Sequence, residues 1–323
     1  MTLSLADLAA ATAVVRRHFP ATPQFAWPLL AQEVGATVWV KHENQTPTGA
    51  FKVRGGLVYT DRLTRERPHV TGIVAATRGN HGQSLAYAGT AAGLRVVIVV
   101  PEGNSPDKNA AMEGFGAELV VHGVDFQESR EHAARLGEEL GLETVPSFHA
   151  DLVAGVATYA KELFDAAGPL DAVYVPVGMG SGIAGLVGVR DLLGLPTRIV
   201  GVVSREAPAT ALSFAAGEVV TTERAATFVD GVACRTPDAD AIALIVAGAD
   251  HIVMVREDET AEAMRVLLRT THQLPEPAGA IALAGLLAER GSVIGQRVGV
   301  ILSGGNCDTP ILTEVLAGRT PAA

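Results

Sequence analysis

The sequence predicts an α/β protein with twisted, mostly parallel sheets flanked by helices. Short apolar runs typical of strands alternate with helical patterns along almost the whole chain, which indicates βαβ units rather than sandwiches or helical bundles. The chain has 323 residues, of which 48% are hydrophobic and 35 are glycine. We therefore expect a large buried core and a division into two domains.

The predicted elements follow one another in chain order. An apolar-periodic helix is expected over 4–15, Ser105 and Pro106 have the chemistry of a helix start, and 125–140 is a charged amphipathic helix. The segment 221–237 is the least regular and is predicted to be a loop. The predicted strands are 36–40, 73–76, 94–100, 117–121, 172–177, 198–203, 251–255 and 298–302.

Charge and composition exclude several classes of function. The formal net charge is -10 and no long basic run occurs, which argues against nucleic acid and anionic membranes as partners. Apolar runs such as 96–100 are too short to span a bilayer, and the N-terminus, with Asp7 inside its helix pattern, does not resemble a signal peptide. Cys234 and Cys307 have neither metal nor disulfide spacing. We expect a cytoplasmic protein that acts on small molecules.

One lysine lies in a segment that makes its amine chemically useful. In 41–56, KHENQTPTGAFKVRGG, a turn follows a strand, Thr48 is the predicted N-cap, and a helix is expected to begin near Ala50. Lys52 then lies in the first helical turn, where the helix dipole and partial desolvation both disfavour its charged form. A neutral amine is the nucleophile that Schiff-base chemistry requires. The alternative is an ordinary solvated lysine.

A second segment, TRGNHGQ at 77–83, lies between a predicted strand and a helix expected to begin near Gln83. Backbone amides at a helix start bind anions, and Thr77, Asn80 and His81 add side-chain hydrogen-bonding groups. An anion site is therefore predicted here. The alternative is a polar turn whose glycines serve only its conformation.

Two more segments follow predicted strands. In VPVGMGSGIAG at 175–185, closely spaced glycines let successive backbone amides cradle a phosphate. A dinucleotide fingerprint is the rival interpretation, but the segment lies in mid-chain and the next strand ends at Ser204 rather than at an acidic residue. The last segment, SGGNCD at 303–308, is by itself compatible with an ordinary turn.

Taken together, the segments around Lys52, 77–83, 175–185 and 303–308 resemble those of the fold-type II pyridoxal phosphate enzymes. That group contains threonine dehydratase, serine racemase, threonine synthase and cysteine synthase. The segments occur in the family's order across nearly the whole chain, and the resemblance implies a two-domain, tryptophan synthase β-like architecture. The implied domains are a large one of 1–70 and 147–323 and a small one of 71–146.

The resemblance also implies roles for individual residues. Lys52 would bind pyridoxal 5'-phosphate through its amine and later remove the α-proton of the substrate, while Ser303 would hydrogen-bond the pyridine nitrogen. The implied cofactor contacts are Lys52, Phe51, Asn80, Gly178, Met179, Gly180, Ser181, Gly182, Glu276 and Ser303. The implied substrate contacts are Thr77, Arg78, Gly79, Asn80, His81 and Arg130.

The serine at the pyridine nitrogen favours one type of reaction. A neutral hydroxyl leaves the ring unprotonated and weakly electron-withdrawing, which suits elimination from a β-carbon that carries a leaving group. The resemblance implies conversion of a 3-hydroxy amino acid to a 2-keto acid and ammonia, with threonine as the usual substrate of the family. Preference for 3-hydroxyaspartate or phenylserine, and the preferred stereoisomer, stay open.

Positions at which this chain differs from the family pattern make the family's other activities less expected than that of a dehydratase. Arg78 occupies the position of the racemase's second catalytic serine and stays protonated, which disfavours racemisation. Ser204 replaces the acidic residue of the family's cation site, so we predict no bound metal. Threonine synthase and cysteine synthase activities rank lower, and a non-catalytic amino-acid binder, which would not need Lys52, ranks last. A homodimer without an appended regulatory domain is expected.

Arg78 has two possible roles at this stage. Its side chain could turn outward and form a surface or domain-interface ion pair, since arginine is often exposed. Alternatively, it could bind a substrate carboxylate through charge-assisted hydrogen bonds. Arg130, in the segment QESRE, is a weaker candidate for the same task.

Overall fold

The computed structural model describes residues 3–322, which form two sheets covered by helices. One sheet has six strands in the order β1-β2-β10-β7-β8-β9, and the other has four in the order β5-β4-β3-β6. The strands are β1 (Gln24–Ala26), β2 (Thr37–His42), β3 (Gly72–Ala76), β4 (Arg95–Val100), β5 (Glu118–Val121), β6 (Glu143–Thr144), β7 (Ala172–Pro176), β8 (Arg198–Ser204), β9 (His251–Val255) and β10 (Arg297–Leu302). The β1–β2 pair is antiparallel and the other pairs of these strands are parallel. The predicted α/β class with mostly parallel sheets is confirmed.

Helices cover both faces of the sheets, and among residues 3–322 none is long and apolar enough to cross a membrane. The helices are α1 (Leu5–Arg16), α2 (Pro28–Val34), α3 (Lys52–Glu66), α4 (Asn80–Ala91), α5 (Pro106–Gly114), α6 (Phe126–Leu140), α7 (Ala150–Ala167), α8 (Ser181–Leu192), α9 (Ala209–Ala216), α10 (Ala239–Gly248), α11 (Glu257–Thr271), α12 (Pro277–Ala288) and α13 (Thr309–Leu316).

Alternation along the strands of the six-stranded sheet creates two cores. Because successive side chains of a strand point to opposite faces, neighbouring residues of β7 and β8 fall into different clusters. Tyr174 and Val200 pack with the wholly apolar α12, which suits a helix buried on all sides. Val173 and Ile199 pack instead with α7 and α8. The carboxyl ends of β2, β7 and β10 therefore reach one edge of a sheet that is covered on both faces.

The predicted strands are all present, but some local predictions were wrong. The helix α3 begins at Lys52 with Phe51 as N-cap, and Thr48 does not cap it. The backbone amide of Ala50 donates instead to Thr46 Oγ1 at 2.9 Å, and Ala50 forms a β-bridge with Gly304 that keeps the chain extended up to the helix.

Other differences concern short or shifted elements. The helix α4 begins at Asn80, three residues before its predicted start. The strands β1 and β6, of three and two residues, were not predicted. The predicted loop 221–237 is irregular except for a 3₁₀ turn at Asp230–Val232, and Ser105 caps α5 by accepting the Lys108 amide at 3.3 Å, as predicted.

A buried ionic network positions the start of α3. Arg54 has no exposed surface and donates to Glu43 Oε2 at 2.7 Å and to Glu162 Oε1 at 2.8 Å. Lys41 of β2 donates to the other oxygen of Glu162 at 2.6 Å. Burial alone would lower the pKa of Arg54, but the two carboxylates raise it above its ordinary value. Two cations and two anions thus compensate one another inside the protein and join α3, α7 and β2.

The first prediction concerns this network. Arg54→Met should lower the free energy of unfolding by about 3–5 kcal/mol, because Glu43 and Glu162 are left as undercompensated buried charges. The matched control Arg95→Met removes an exposed ion pair with Glu118 and should cost at most about 1 kcal/mol. Urea denaturation followed by circular dichroism measures both changes. Equal losses in the two variants would contradict the role assigned to the network.

Candidate active site

The segments predicted from sequence meet at one place. The Lys52 amine lies 3.3 Å from Ser181 Oγ, to which it can donate. The backbone amide of Phe51 donates to the Ser303 carbonyl at 2.9 Å. The lysine segment therefore contacts the glycine-rich segment on one side and the SGGNCD segment on the other.

The segment 77–81, called the loop 77–81 although its last two residues begin α4, joins the same site through Asn80. Its Nδ2 donates to Glu276 Oε1 at 2.7 Å, and its Oδ1 accepts from Asn306 Nδ2 at 2.8 Å. Asn306 Nδ2 also lies 3.2 Å from Gln83 Oε1 and 2.8 Å from the Thr48 carbonyl. All four predicted segments are thus connected by hydrogen bonds.

The surroundings of Lys52 favour a neutral amine. Burial of the amine lowers the pKa of Lys52 from 10.5 to about 8, and within residues 3–322 no carboxylate forms an ion pair with it. Its nitrogen lies 5.1 Å from the centre of the Phe51 ring. Desolvation is therefore the cause of the lowered pKa, and a substantial fraction of the amine is free base slightly above neutral pH.

The glycine-rich loop has a shape that side chains would disrupt. Gly180, with φ of 93°, precedes the first residue of α8, the buried Ser181. A Cβ on Gly180 would lie 2.9 Å from the Ala241 Cβ, and a Cβ on Gly178 would lie 2.4 Å from the Gly231 carbonyl oxygen. The loop therefore brings bare backbone to the start of a 12-residue helix, the arrangement in which amides bind phosphate.

The other two residues of this loop contact their surroundings. The carbonyl of Gly182 accepts from the Tyr159 hydroxyl at 3.1 Å, and the Tyr159 ring meets the Phe51 ring edge to face. Met179 Sδ lies 3.8 Å from Cys234 Sγ. Burial raises the pKa of the Cys234 thiol to about 11, so this thiol serves packing rather than nucleophilic chemistry.

The loop 77–81 combines buried and exposed side chains. Thr77 is buried, and its hydroxyl accepts the Gly79 amide at 3.1 Å. His81 Nε2 is buried without a hydrogen-bond partner among the described residues, and burial, with the charge of Lys52, lowers its pKa to about 3. Arg78 is exposed and forms no ion pair within residues 3–322. The ion pair that was one of the two roles expected for Arg78 is therefore not found among the described residues.

Two further predicted residues lie deep in the site. Ser303 is buried and its hydroxyl donates to the Ala278 carbonyl at 3.2 Å. Glu276 is also buried, and burial together with the charge of Asp230 raises its pKa to about 8. A Cβ on Gly304 would lie 2.2 Å from Glu276 Oε1. Only glycine at 304 leaves room for this carboxyl.

Arg130, like Arg78, takes no part in the hydrogen bonds described for the site. It lies in α6, its side chain is exposed, and among the described residues it makes no hydrogen bond to the other predicted site residues. At the position that matches the family's cation site, Ser204 Oγ donates to Glu257 Oε1 at 2.6 Å. Within residues 3–322 no cluster of three or more metal-ligating side chains occurs.

Sequence reasoning did not select three residues that border the site. Asn306 belongs to the quoted segment SGGNCD, so its position was available as a signal. Lys108, which packs against Gly79, and its partner Asp230 are 122 positions apart in the chain. No local pattern links residues at that separation.

The residues of the site fit pyridoxal phosphate. The amine of Lys52 has no anionic partner in the described chain, the backbone cradle at 178–182 opens onto a helix start, and His81 Nε2 is an unpaired polar atom. Ser303 supplies a neutral hydroxyl. These are groups suited to an aldehyde, a phosphate and a ring nitrogen.

The fold and the site together define a class of protein. A family model described as pyridoxal-phosphate dependent enzyme matches residues 15–304. The chain belongs to this family, whose cofactor is pyridoxal phosphate. The resemblance noted from the sequence, the fold-type II architecture and the cofactor are thereby confirmed.

Particular relatives refine the comparison. The chain is 31% identical to the biosynthetic L-threonine dehydratase of Haemophilus influenzae over 88% of its own length, but it covers 56% of that protein. It is 30% identical to the L-threo-3-hydroxyaspartate ammonia-lyase of Saccharomyces cerevisiae, covering 97% of this chain and 96% of the relative. A processed threonine deaminase from Solanum lycopersicum superimposes with a TM-score of 0.89 at 27% identity, over 98% of this chain and 94% of that one. The chain thus spans about half the length of some relatives and nearly all of others.

The second prediction follows from the pKa of Lys52. Covalent binding of pyridoxal phosphate to the apoprotein should accelerate about tenfold per pH unit below pH 8 and level off above it, because only the neutral amine attacks. A lysine with its ordinary pKa would gain rate up to about pH 10. Stopped-flow absorbance between pH 6 and 10 measures the profile. A rate that still climbs steeply above pH 9 would show that burial does not lower the pKa.

Proposed function

We propose that the protein is a pyridoxal phosphate-dependent ammonia-lyase that converts a 3-hydroxy amino acid to a 2-keto acid and ammonia. The observation that supports elimination best is that one site contains both a desolvated amine, at Lys52, and a neutral, buried hydroxyl, at Ser303. Their segments are joined by the hydrogen bond between the Phe51 amide and the Ser303 carbonyl. The named activities of the relatives agree with this reaction class.

The chain's own residues divide the chemistry among them. When bound, pyridoxal phosphate supplies an electron-withdrawing group for the α-carbon of an amino acid. Lys52 would hold the cofactor through its amine, and the same amine would serve as the base for the α-proton. The loop at 178–182 binds phosphate through backbone amides. Ser303 would hydrogen-bond the ring nitrogen by turning its one hydroxyl proton from the Ala278 carbonyl to that nitrogen. The ring would stay unprotonated, which would limit electron withdrawal and favour a substrate with a β-leaving group.

Substrate binding falls to the loop 77–81 and its neighbours. The buried hydroxyl of Thr77 and the first-turn amides of α4 provide neutral groups for the α-carboxylate. His81, with its lowered pKa, stays uncharged and contributes a neutral ring. Asn80 and Glu276 complete the wall between this loop and the cofactor.

Threonine and 3-hydroxyaspartate are the two substrates with specific support. Threonine is the substrate implied by family resemblance. 3-Hydroxyaspartate is supported by the yeast relative, which matches this chain almost from end to end, and by Arg78, an exposed arginine of the loop 77–81 without an ion pair in the described residues. An arginine can bind a second carboxylate bidentately. Racemisation stays the alternative reaction, disfavoured by Arg78.

We also propose the wider organisation of the protein. The division into a large domain of 1–70 and 147–323 and a small one of 71–146 is supported by the four-stranded sheet, whose strands all lie within 72–144. A homodimer is proposed from the family resemblance and can be tested by light scattering. A cytoplasmic location is proposed from the two cysteines without a disulfide spacing.

The third prediction tests the central role of Lys52. Lys52→Ala should lose the visible absorbance of the covalently bound cofactor, and ammonia release should fall at least about a thousandfold, because one group both holds the cofactor and acts as the base. Lys161→Ala, which removes a partly exposed lysine paired with Asp165, is the control. Undiminished turnover in Lys52→Ala would refute the proposal. Product analysis on the wild type separates a lyase, which forms keto acid, from a racemase, which forms the opposite enantiomer.

The fourth prediction concerns Arg78 and substrate choice. Arg78→Ala should reduce kcat/KM for the preferred substrate by about tenfold to a hundredfold, most strongly for 3-hydroxyaspartate, because charge-assisted bonds to a carboxylate are lost. The panel is threonine, serine, 3-hydroxyaspartate and phenylserine in both diastereomeric series. Arg135→Ala, another exposed arginine, is the control. Unchanged kcat/KM on every substrate would assign Arg78 to the surface.

A further inference from the structure

Lys108 of α5 is a buried lysine with a role that the proposed reaction does not require. Only 6% of its surface is exposed. Its ammonium group donates to Asp230 Oδ2 and lies 3.5 Å from Asp308 Oδ2. Both carboxylates belong to loops around the six-stranded sheet, whereas α5 packs with the four-stranded sheet. Lys108 therefore links the part of the protein around the four-stranded sheet to loops of the six-stranded sheet, next to the candidate active site.

The middle of the Lys108 side chain touches the predicted substrate loop. A Cβ on Gly79 would lie 3.0 Å from Lys108 Cδ and 3.6 Å from its Cε. The aliphatic part thus covers the backbone of Gly79 while the charged end is anchored beyond it. Gly79 in turn accepts the Gln83 amide in the first turn of α4 at 3.1 Å. A shift of Lys108 would free both Gly79 and the start of α4.

The anchor is strong and permanently charged. Burial by itself would lower the pKa of Lys108, but Asp230, Glu276 and Asp308 face the ammonium group and raise its pKa above the ordinary value. Asp308 is fixed from α5 as well, because Ser105 Oγ donates to its Oδ1 at 2.6 Å. The ammonium group of Lys108 is therefore held by carboxylates, one of which is itself fixed by Ser105.

Stability does not account for this arrangement. A buried ion pair often contributes no more to folding than apolar residues of similar volume, because desolvation offsets the attraction. A methionine offers a similar aliphatic surface to Gly79, but nothing would fix the direction of its side chain. The lysine adds a fixed direction for its side chain, because Asp230 and Asp308, in loops around the six-stranded sheet, hold its ammonium group.

We propose that Lys108 is a positioning residue, which clamps the loop 77–81 in the conformation that receives the substrate carboxylate. The inference rests on the proposed function only in assigning that carboxylate to the loop. Loss of the clamp weakens binding equally in the ground state and the transition state. Such a loss raises KM and leaves kcat nearly unchanged.

The test uses cofactor-loaded protein and four variants. Lys108→Met and Asp230→Asn each remove one partner of the ion pair, the double variant removes both, and Lys161→Met is the control for a partly exposed lysine. Both anchor variants should raise KM about tenfold for the preferred substrate with kcat within about twofold. The double variant should be no worse than either single one, because both act on the same contact.

Hydrogen exchange supplies a readout that needs no turnover. In both anchor variants the Gln83 amide should exchange about tenfold faster, since its acceptor Gly79 is no longer held. Exchange in β2 should stay as in the wild type. If Lys108→Met does not fold, Asp230→Asn alone carries both measurements.

The outcomes separate the clamp from its alternatives. Unchanged KM and unchanged Gln83 exchange would overturn the proposal. Faster exchange throughout the chain with a lower melting temperature would also overturn it, since Lys108 would then serve general stability. If the wild type acts on no substrate of the panel while Gln83 exchange responds as stated, the proposed function fails and the clamp stands.

Discussion

The buried pairing of Arg54 with Glu43 and Glu162 is the constraint on which the site depends. None of these charges can be buried alone, so β2, α3 and α7 must meet where all of them are compensated. Residues two apart on a helix point to nearly opposite sides, because each residue turns the helix by about 100°. Anchoring Arg54 in the interior therefore turns Lys52 away from it, towards Ser181.

Burial then sets the electrostatic character of the site. It lowers the pKa of Lys52 to about 8 and that of His81 to about 3, and it raises the pKa of Glu276 to about 8. In each case the neutral form gains. Lys52 and Glu276 can therefore exchange protons near neutral pH, whereas His81 stays neutral there. The ion pair beside this site is the one between Lys108 and Asp230, which joins the parts of the protein around the two sheets.

What could be predicted from the sequence follows from the range of the interactions involved. The strand 251–255 and the cap at Ser105 depend on local pattern and were found. Thr48 was wrongly chosen as a cap because the competing bridge between Ala50 and Gly304 joins distant parts of the chain. The four chemical segments were recognised as a set, because together and in order they resemble one family, although 303–308 alone is compatible with an ordinary turn. The contact of Lys108 with Asp230 has no such sequence pattern. Short strands such as β6 exist only through their neighbours.

The distribution of charge around the loop 77–81 narrows the question of substrate choice. The side chain of Lys108 packs against Gly79, but two carboxylates already hold its ammonium group. A second carboxylate on a substrate would gain little there and would face the carboxylate of Asp230 as a like charge. Arg78 is the cation of this loop that remains without an ion pair in the described chain. Threonine needs no such cation, because its methyl group is uncharged, whereas 3-hydroxyaspartate does. Substrate preference in this protein therefore depends on whether the exposed guanidinium of Arg78 turns towards the bound amino acid or stays in solvent.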